Sequence, residues 1–166
     1  SELSGPVSLL FQPAEEGGAG ARRMCEEGVL DDPPVQAIFG LHGWPALPQG
    51  QVGVHAGGFL ASSDRLHIAV SGVGAHAAFP HEGIDTVLVA AHIIVALQSI
   101  VARNTAPLDS VVVTVSQVHG GTAFNIIPGQ VLLTGTIRTL NSATRERTFA
   151  HIHRVATDTA RAFGAT

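Results

Sequence analysis

Apolar and polar positions along the chain fall into two regions of different rhythm. In the first, Val7 to Phe11 is a short apolar run of strand-like content. Pro13, which cannot donate to a ladder, ends its pairing. Gly17 to Glu27 reads as a helix, with Met24 and Cys25 able to face a core and Gly28 placed as its stop. Val35 to Phe39 is a second apolar run, broken by Gly40-Leu41-His42-Gly43-Trp44-Pro45. Strand, helix, strand with a loop at each strand's C-terminal end is a βαβ pattern, and such sheets carry ligands at those ends. FQPAEE and GLHGWP are therefore expected on one sheet edge.

The rhythm changes after Pro45. Gln51 to His55 reads as a short strand leading into a crossing linker, and a new periodicity begins near Phe59. Leu66, Ile68 and Val70 alternate with Arg65, His67 and Ala69, as in a half-buried strand. Ile84, Val87, Leu88, Ala91, Ile94 and Val95 follow helical spacing. Val111, Val113 and Val115 predict another strand, and Val131, Leu133 and Ile137 a third. Phe149, Ile152, Ala156, Ala160 and Phe163 form the stripe of a last helix, capped by Asn141 or Ser142. The order β-α-β-β-α lacks only a final strand to complete a ferredoxin-like split βαβ unit, and that strand would follow Thr166. The predicted fold class is α/β (α+β), with domains at 1–57 and 58–166.

Composition narrows the function classes. Apolar residues make up 45% and charged residues 13%, which is a globular balance. The formal net charge is -4 and the basic residues are scattered, so neither nucleic acid nor an anionic membrane is an expected partner. The longest apolar stretch, IDTVLVAAHIIVALQSIVA, is interrupted by Asp85, His92 and Gln98, and reads as a buried helix, not a bilayer span. The single cysteine, Cys25, excludes an internal disulfide and agrees with a reducing, cytoplasmic setting. In a helix it reads as a small core hydrophobe.

Candidate chemistry sits in the loops. Glu15 and Glu16 would point to opposite faces of a regular strand, but an irregular loop after Pro13 lets both reach one centre. A carboxylate can ligate a divalent metal, and a second can take a proton from water. On the stretch alone, acidic residues complementing a helix N-terminus is the simpler reading. His42, at a strand end, offers imidazole nitrogen to a zinc-like ion as readily as it reads as a surface residue. His76 lies in the small-residue loop GVGAHAAFPH, where its side chain is free to reach a substrate. Asn125 in GGTAFNIIPG could hold a carboxylate or oxyanion, or simply serve its turn. Arg138, on a strand, could clamp a carboxylate or face water. The other seven of the nine histidines read as structural or surface residues.

In order along the chain, FQPAEEGGAGARRMCEEG, IFGLHGWP, GVGAHAAFPHEGID and GGTAFNIIPGQVLLTGTIRTL together resemble the M20 family of metallo-amidohydrolases and peptidases. The likeness is strongest to its N-acyl-amino-acid amidohydrolase branch, with the hippurate hydrolases and plant auxin-conjugate hydrolases. That resemblance implies that 1–57 is part of an α/β/α catalytic domain holding two divalent metal ions, zinc, manganese or cobalt. It implies that 58–166 is a lid and dimerisation domain, with a homodimer formed through it. Glu15 then matches the general base, and Glu16 and His42 match metal ligands. His76 matches the lid histidine that stabilises the oxyanion, Asn125 a contact to the substrate carboxylate, and Arg138 a further substrate contact. The substrate class implied is an N-acyl amino acid or small peptide. The family's other metal ligands lie in an upstream Cys/His-Asp-Gly-His-type segment and a downstream histidine, neither within these 166 residues. The chain is thus expected to be an internal fragment that binds metal poorly and hydrolyses little alone. A metallo-exopeptidase acting on dipeptides or a C-terminal residue is one alternative; a non-catalytic dimerisation or binding module is another.

Overall fold

The computed structural model describes residues 5–166. The chain separates into two compact units, Ser1–Val52 and Gly53–Thr166.

In the first unit, helix α1 spans Gly20–Glu26. It ends as a glycine stop requires. Gly28 adopts φ 82°, its amide donates to the Cys25 carbonyl at 3.0 Å, and the Val29 amide reaches back to Met24 at 3.1 Å. These are the two bonds of a Schellman closure. The strands expected at Val7 to Phe11, Val35 to Phe39 and Gln51 to His55 do not form among the described residues. A strand exists only through a neighbour that takes its N–H and C=O groups, and these runs have none. Their apolar side chains stay in water, Phe11 at 84% and Phe39 at 93% exposure. Cys25 is also exposed, contrary to its reading as a core residue. Among the described residues no side chain of its short helix joins the hydrophobic core.

The second unit carries the hydrophobic core. Its elements are β1 (Asp64–Ser71), β2 (Ala75–His76), a 3-10 turn (Pro80–Glu82), α2 (Thr86–Asn104), β3 (Val111–Gly120), β4 (Ile126–Ile127), β5 (Gln130–Thr139) and α3 (Ser142–Ala162). The expected order β-α-β-β-α is present, with β2 and β4 as a small added ribbon. The main sheet is antiparallel in the order β1-β5-β3. Leu66, Val70, Val111, Val113, Val131, Leu133 and Ile137 alternate onto one face and bury there against α2 and α3. Between Val115 and Gln117 the β3 register shifts by a bulge opposite Gly135, where a Cβ would overlap the Thr114 carbonyl.

The two helices start on side-chain caps. Asp85 accepts from the amides of Val87 and Leu88, and Asn141 accepts from the amide of Thr144. Of the stripe expected on α2, Ile94, and Ile84 just ahead of the helix, pack partly against the core, but the rest faces outward. Val89, Ala90, Ile93, Leu97 and Ile100 pack on the sheet, whereas Val87, Leu88 and Val95 are exposed. By length and composition α2 could cross a bilayer, but this packed face makes it the central core helix.

The free edge of β1 meets the end of the chain at one point. Ser71 and Thr166 exchange both backbone hydrogen bonds, at 2.7 and 2.9 Å, as a single antiparallel pair does.

Candidate functional site

Glu15 and Glu16 occupy a turn between Pro13 and α1, closed by the Gly18 amide donating to the Ala14 carbonyl at 3.0 Å. Ala14 and Ala19 both take positive φ, 50° and 54°, so the backbone reverses on either side of the carboxylates. Gly20 permits the reversal, since a Cβ there would overlap the Pro13 carbonyl. Strand alternation does not apply to such a turn, and neither glutamate enters the first turn of α1, which holds no acidic residue. The helix-dipole explanation of the pair therefore loses its footing. Both side chains are exposed.

His42 is held by its own loop. Its Nδ1 lies 2.7 Å from the Gly43 carbonyl, which can only accept. Nδ1 thus carries the proton, and Nε2 offers its lone pair outward. This is the arrangement that prepares a histidine for a metal. The donor chemistry of Glu16 and His42, oxygen and nitrogen, suits a zinc-like ion. Among the described residues no three His, Cys, Asp or Glu side chains cluster closely enough to hold a metal ion.

In the second unit the β2–β4 ribbon joins two loops. His76 pairs with Ile126, and the Ala77 amide donates to the Asn125 carbonyl at 2.9 Å. Residues 49 positions apart in sequence thus become neighbours across a two-residue ribbon. The loop is tied down at its base. The Gly72 amide donates to the Gly129 carbonyl at 2.9 Å, the Ile84 amide to Val73 at 2.8 Å, and fully buried Thr86 donates through Oγ1 to the Pro128 carbonyl at 2.7 Å. Phe79 lies against the imidazole, ring centroids 5.6 Å apart, and also meets His81 edge-on, centroids 6.3 Å apart. Phe79 and the Ala78 amide, which bonds the His76 ring, escaped the sequence reading because such a contact leaves no compositional trace.

Arg138 is not brought to this group. The ribbon adjoins the Gln130 end of β5, and Arg138 stands eight residues along it, about 26 Å at strand rise. There it lies across from Val112 and helps to lower the Asp64 carboxyl, which belongs to a separate ion pair. A concavity of about 420 Å³ along α1 and one of about 190 Å³ between α2 and α3 include none of Glu15, Glu16, His42, His76 or Asn125 among their lining residues. The candidate groups are surface groups on shaped loops.

These loops carry the four stretches singled out in the sequence, and the comparison with known proteins bears on them directly. The profile of Peptidase family M20/M25/M40 matches residues 1–160. This chain belongs to that family. The N-acetylcysteine deacetylase of Bacillus subtilis is 45% identical over 165 residues, 99% of this chain and 43% of its own length. An IAA-amino acid hydrolase of Arabidopsis thaliana is 50% identical over 141 residues, 85% of this M20 chain and 32% of the relative. Among solved structures, an aminohydrolase of methicillin-resistant Staphylococcus aureus superposes with a TM-score of 0.86 at 31% identity, covering 93% of this chain and 41% of that one. A Bacillus subtilis protein described as a dinuclear metal-binding peptidase of the M20 family superposes with a TM-score of 0.72 at 39% identity, covering 94% and 37%. The M20 chain thus spans roughly a third to two fifths of the relatives it matches.

Proposed function

We propose that this chain is part of a metal-dependent amidohydrolase that cleaves the amide bond of N-acyl amino acids. The observation that carries the reading is its 45% identity, over nearly its whole length, to a protein that removes an acetyl group from an amino-acid nitrogen. The loop geometry agrees with it. Residues 1–57 would belong to the catalytic domain and 58–166 to a lid that also mediates a homodimer, in the cytoplasm.

Glu16 and His42 would be among the ligands of two divalent ions, zinc, manganese or cobalt, with further ligands from outside this chain. When bound, such ions polarise the scissile carbonyl and lower the pKa of water. Glu15 takes the proton of the attacking water and passes it to the nitrogen as the C–N bond breaks. His76 donates a hydrogen bond to the carbonyl oxygen as it gains negative charge. The Asn125 amide donates to the substrate carboxylate. The products are a carboxylic acid and a free amino acid. Arg138, a strand length away, would meet only a ligand lying along the open face of the main sheet.

The test is Glu15→Gln in the active protein that carries this sequence. We expect kcat to fall by about 10²- to 10⁴-fold with fold and metal content retained. Unchanged turnover would remove Glu15 from the chemistry. A substrate panel of acyl-amino acids against dipeptides separates the amidohydrolase from an exopeptidase.

A further inference from the structure

We propose that His76 donates from Nε2, with its tautomer set by the Ala78 backbone amide acting as the positioning group. The Ala78 N–H donates to His76 Nδ1 at 3.1 Å. A backbone amide can only donate, so Nδ1 must present its lone pair, and in the neutral ring the proton then sits on Nε2.

Three successive amides fix this loop, and one of them bonds the imidazole itself. The amide of Ala77 bonds Asn125 across the ribbon, that of Ala78 bonds the imidazole, and that of Phe79 returns to the His76 carbonyl at 2.8 Å. The Phe79 ring, tilted 52° to the imidazole, limits rotation of the ring that carries the proton.

His42 is held in the opposite sense. Its Nδ1 faces the Gly43 carbonyl at 2.7 Å, which leaves a lone pair on Nε2. The chain thus carries two loop histidines whose outward nitrogens are complementary, an acceptor on His42 and a donor on His76. A donor at Nε2 can meet an oxygen gaining negative charge. In that tautomer it can neither ligate a metal through Nε2 nor take a proton there. The consequence for substrate rests on the functional reading above, whereas the tautomer itself rests on the loop alone.

Long-range proton–nitrogen NMR of the chain, recorded above the imidazole titration range, reads both tautomers, with signals assigned by their loss in His76→Gln and His42→Gln. We expect a protonated Nε2 and a bare Nδ1 for His76, and the reverse for His42. Ala78→Pro, which deletes the donor, should shift His76 toward a mixture; if that variant fails to fold, the wild-type spectrum alone decides. A protonated Nδ1 or an averaged mixture in the wild type overturns the proposal.

A kinetic arm uses the active protein. The amide nitrogen of His76→Gln stands where Nε2 stood, whereas that of His76→Asn stands near Nδ1. We expect His76→Asn to lose about 10²- to 10³-fold in kcat, as removal of an oxyanion donor does, and His76→Gln to lose at least about tenfold less. Equal losses overturn the Nε2 assignment and leave the functional reading intact. No loss in either variant overturns the role of His76 in the proposed reaction.

Discussion

The Asp64 carboxylate is gripped by two nitrogens of Arg145, Nη2 to Oδ1 at 2.6 Å and Nε to Oδ2 at 2.9 Å, while Ser62 Oγ donates to Oδ2 at 2.9 Å. The guanidinium in turn lies 4.5 Å from the centroid of the Phe149 ring, so one residue of α3 is locked to the start of β1. The Arg145 hydrogen bonds are the main reason the Asp64 carboxyl titrates below its ordinary value of 3.8, against the opposing effect of its burial. A carboxyl lowered in the folded state stabilises the fold above its unfolded value and loses that contribution as pH falls through its folded one. Asp64→Asn is therefore expected to lower Tm at neutral pH, and the gap to wild type should close as pH drops below 3.8. Thermal melts across acid pH check this; a gap that persists unchanged there would assign the effect to packing. Arg145 is 41% exposed, so added salt should narrow the gap as well. This pair was invisible in the sequence, since its partners stand 81 positions apart.

Elements supply the frame that these residues decorate, and α2 shows how far sequence alone carries. Its type was readable from the long apolar run and its helical spacing, whereas the Asp85 cap that starts it emerged only with the structure. Its orientation was not readable, because apolar residues occur on both faces and the period fits either. The sheet selects Leu97, which is wholly buried, over Val95, which is 71% exposed. Leu97→Ala is expected to cost about 2–5 kcal/mol and Val95→Ala less than about 0.5 kcal/mol in urea unfolding. Comparable losses at the two positions would mean that something covers the outer face in solution. The β1 edge makes a second element-scale prediction. Ser71 bonds Thr166, and by antiparallel alternation Arg65, His67 and Ala69 turn their amides to the same unpaired side. In hydrogen exchange the Ser71 amide should be protected and those three should exchange quickly. Equal protection would show that another strand pairs along this edge.

At the scale of the molecule, the two units differ in what their sequences could settle. The second unit contains the partners its elements need, so alternation along Leu66 to Val70 and Val111 to Val115 translates into a packed face. Residues 5–52 contain one helix whose stop was legible in Gly28, and apolar runs that have no neighbouring strand among the described residues. The metal chemistry divides in the same way. A zinc-type site takes three or four protein ligands, and no such group of side chains assembles among the described residues. Calorimetric titration of the isolated chain with zinc or manganese is expected to give weak, substoichiometric binding; two tight sites per chain would refute this. The sequence by itself determined the family, the βαββα order, the Gly28 stop and a cap for the last helix at Asn141 or Ser142, and it singled out Glu15, Glu16, His42, His76 and Asn125 as candidates. These follow from local rules, namely alternation, capping and motif order. Tertiary structure alone decided which face of α2 is core, that His76 and Asn125 share a ribbon while Arg138 stands apart, and which nitrogen each loop histidine presents. Those properties depend on which backbone groups meet across the fold, and no local pattern records that.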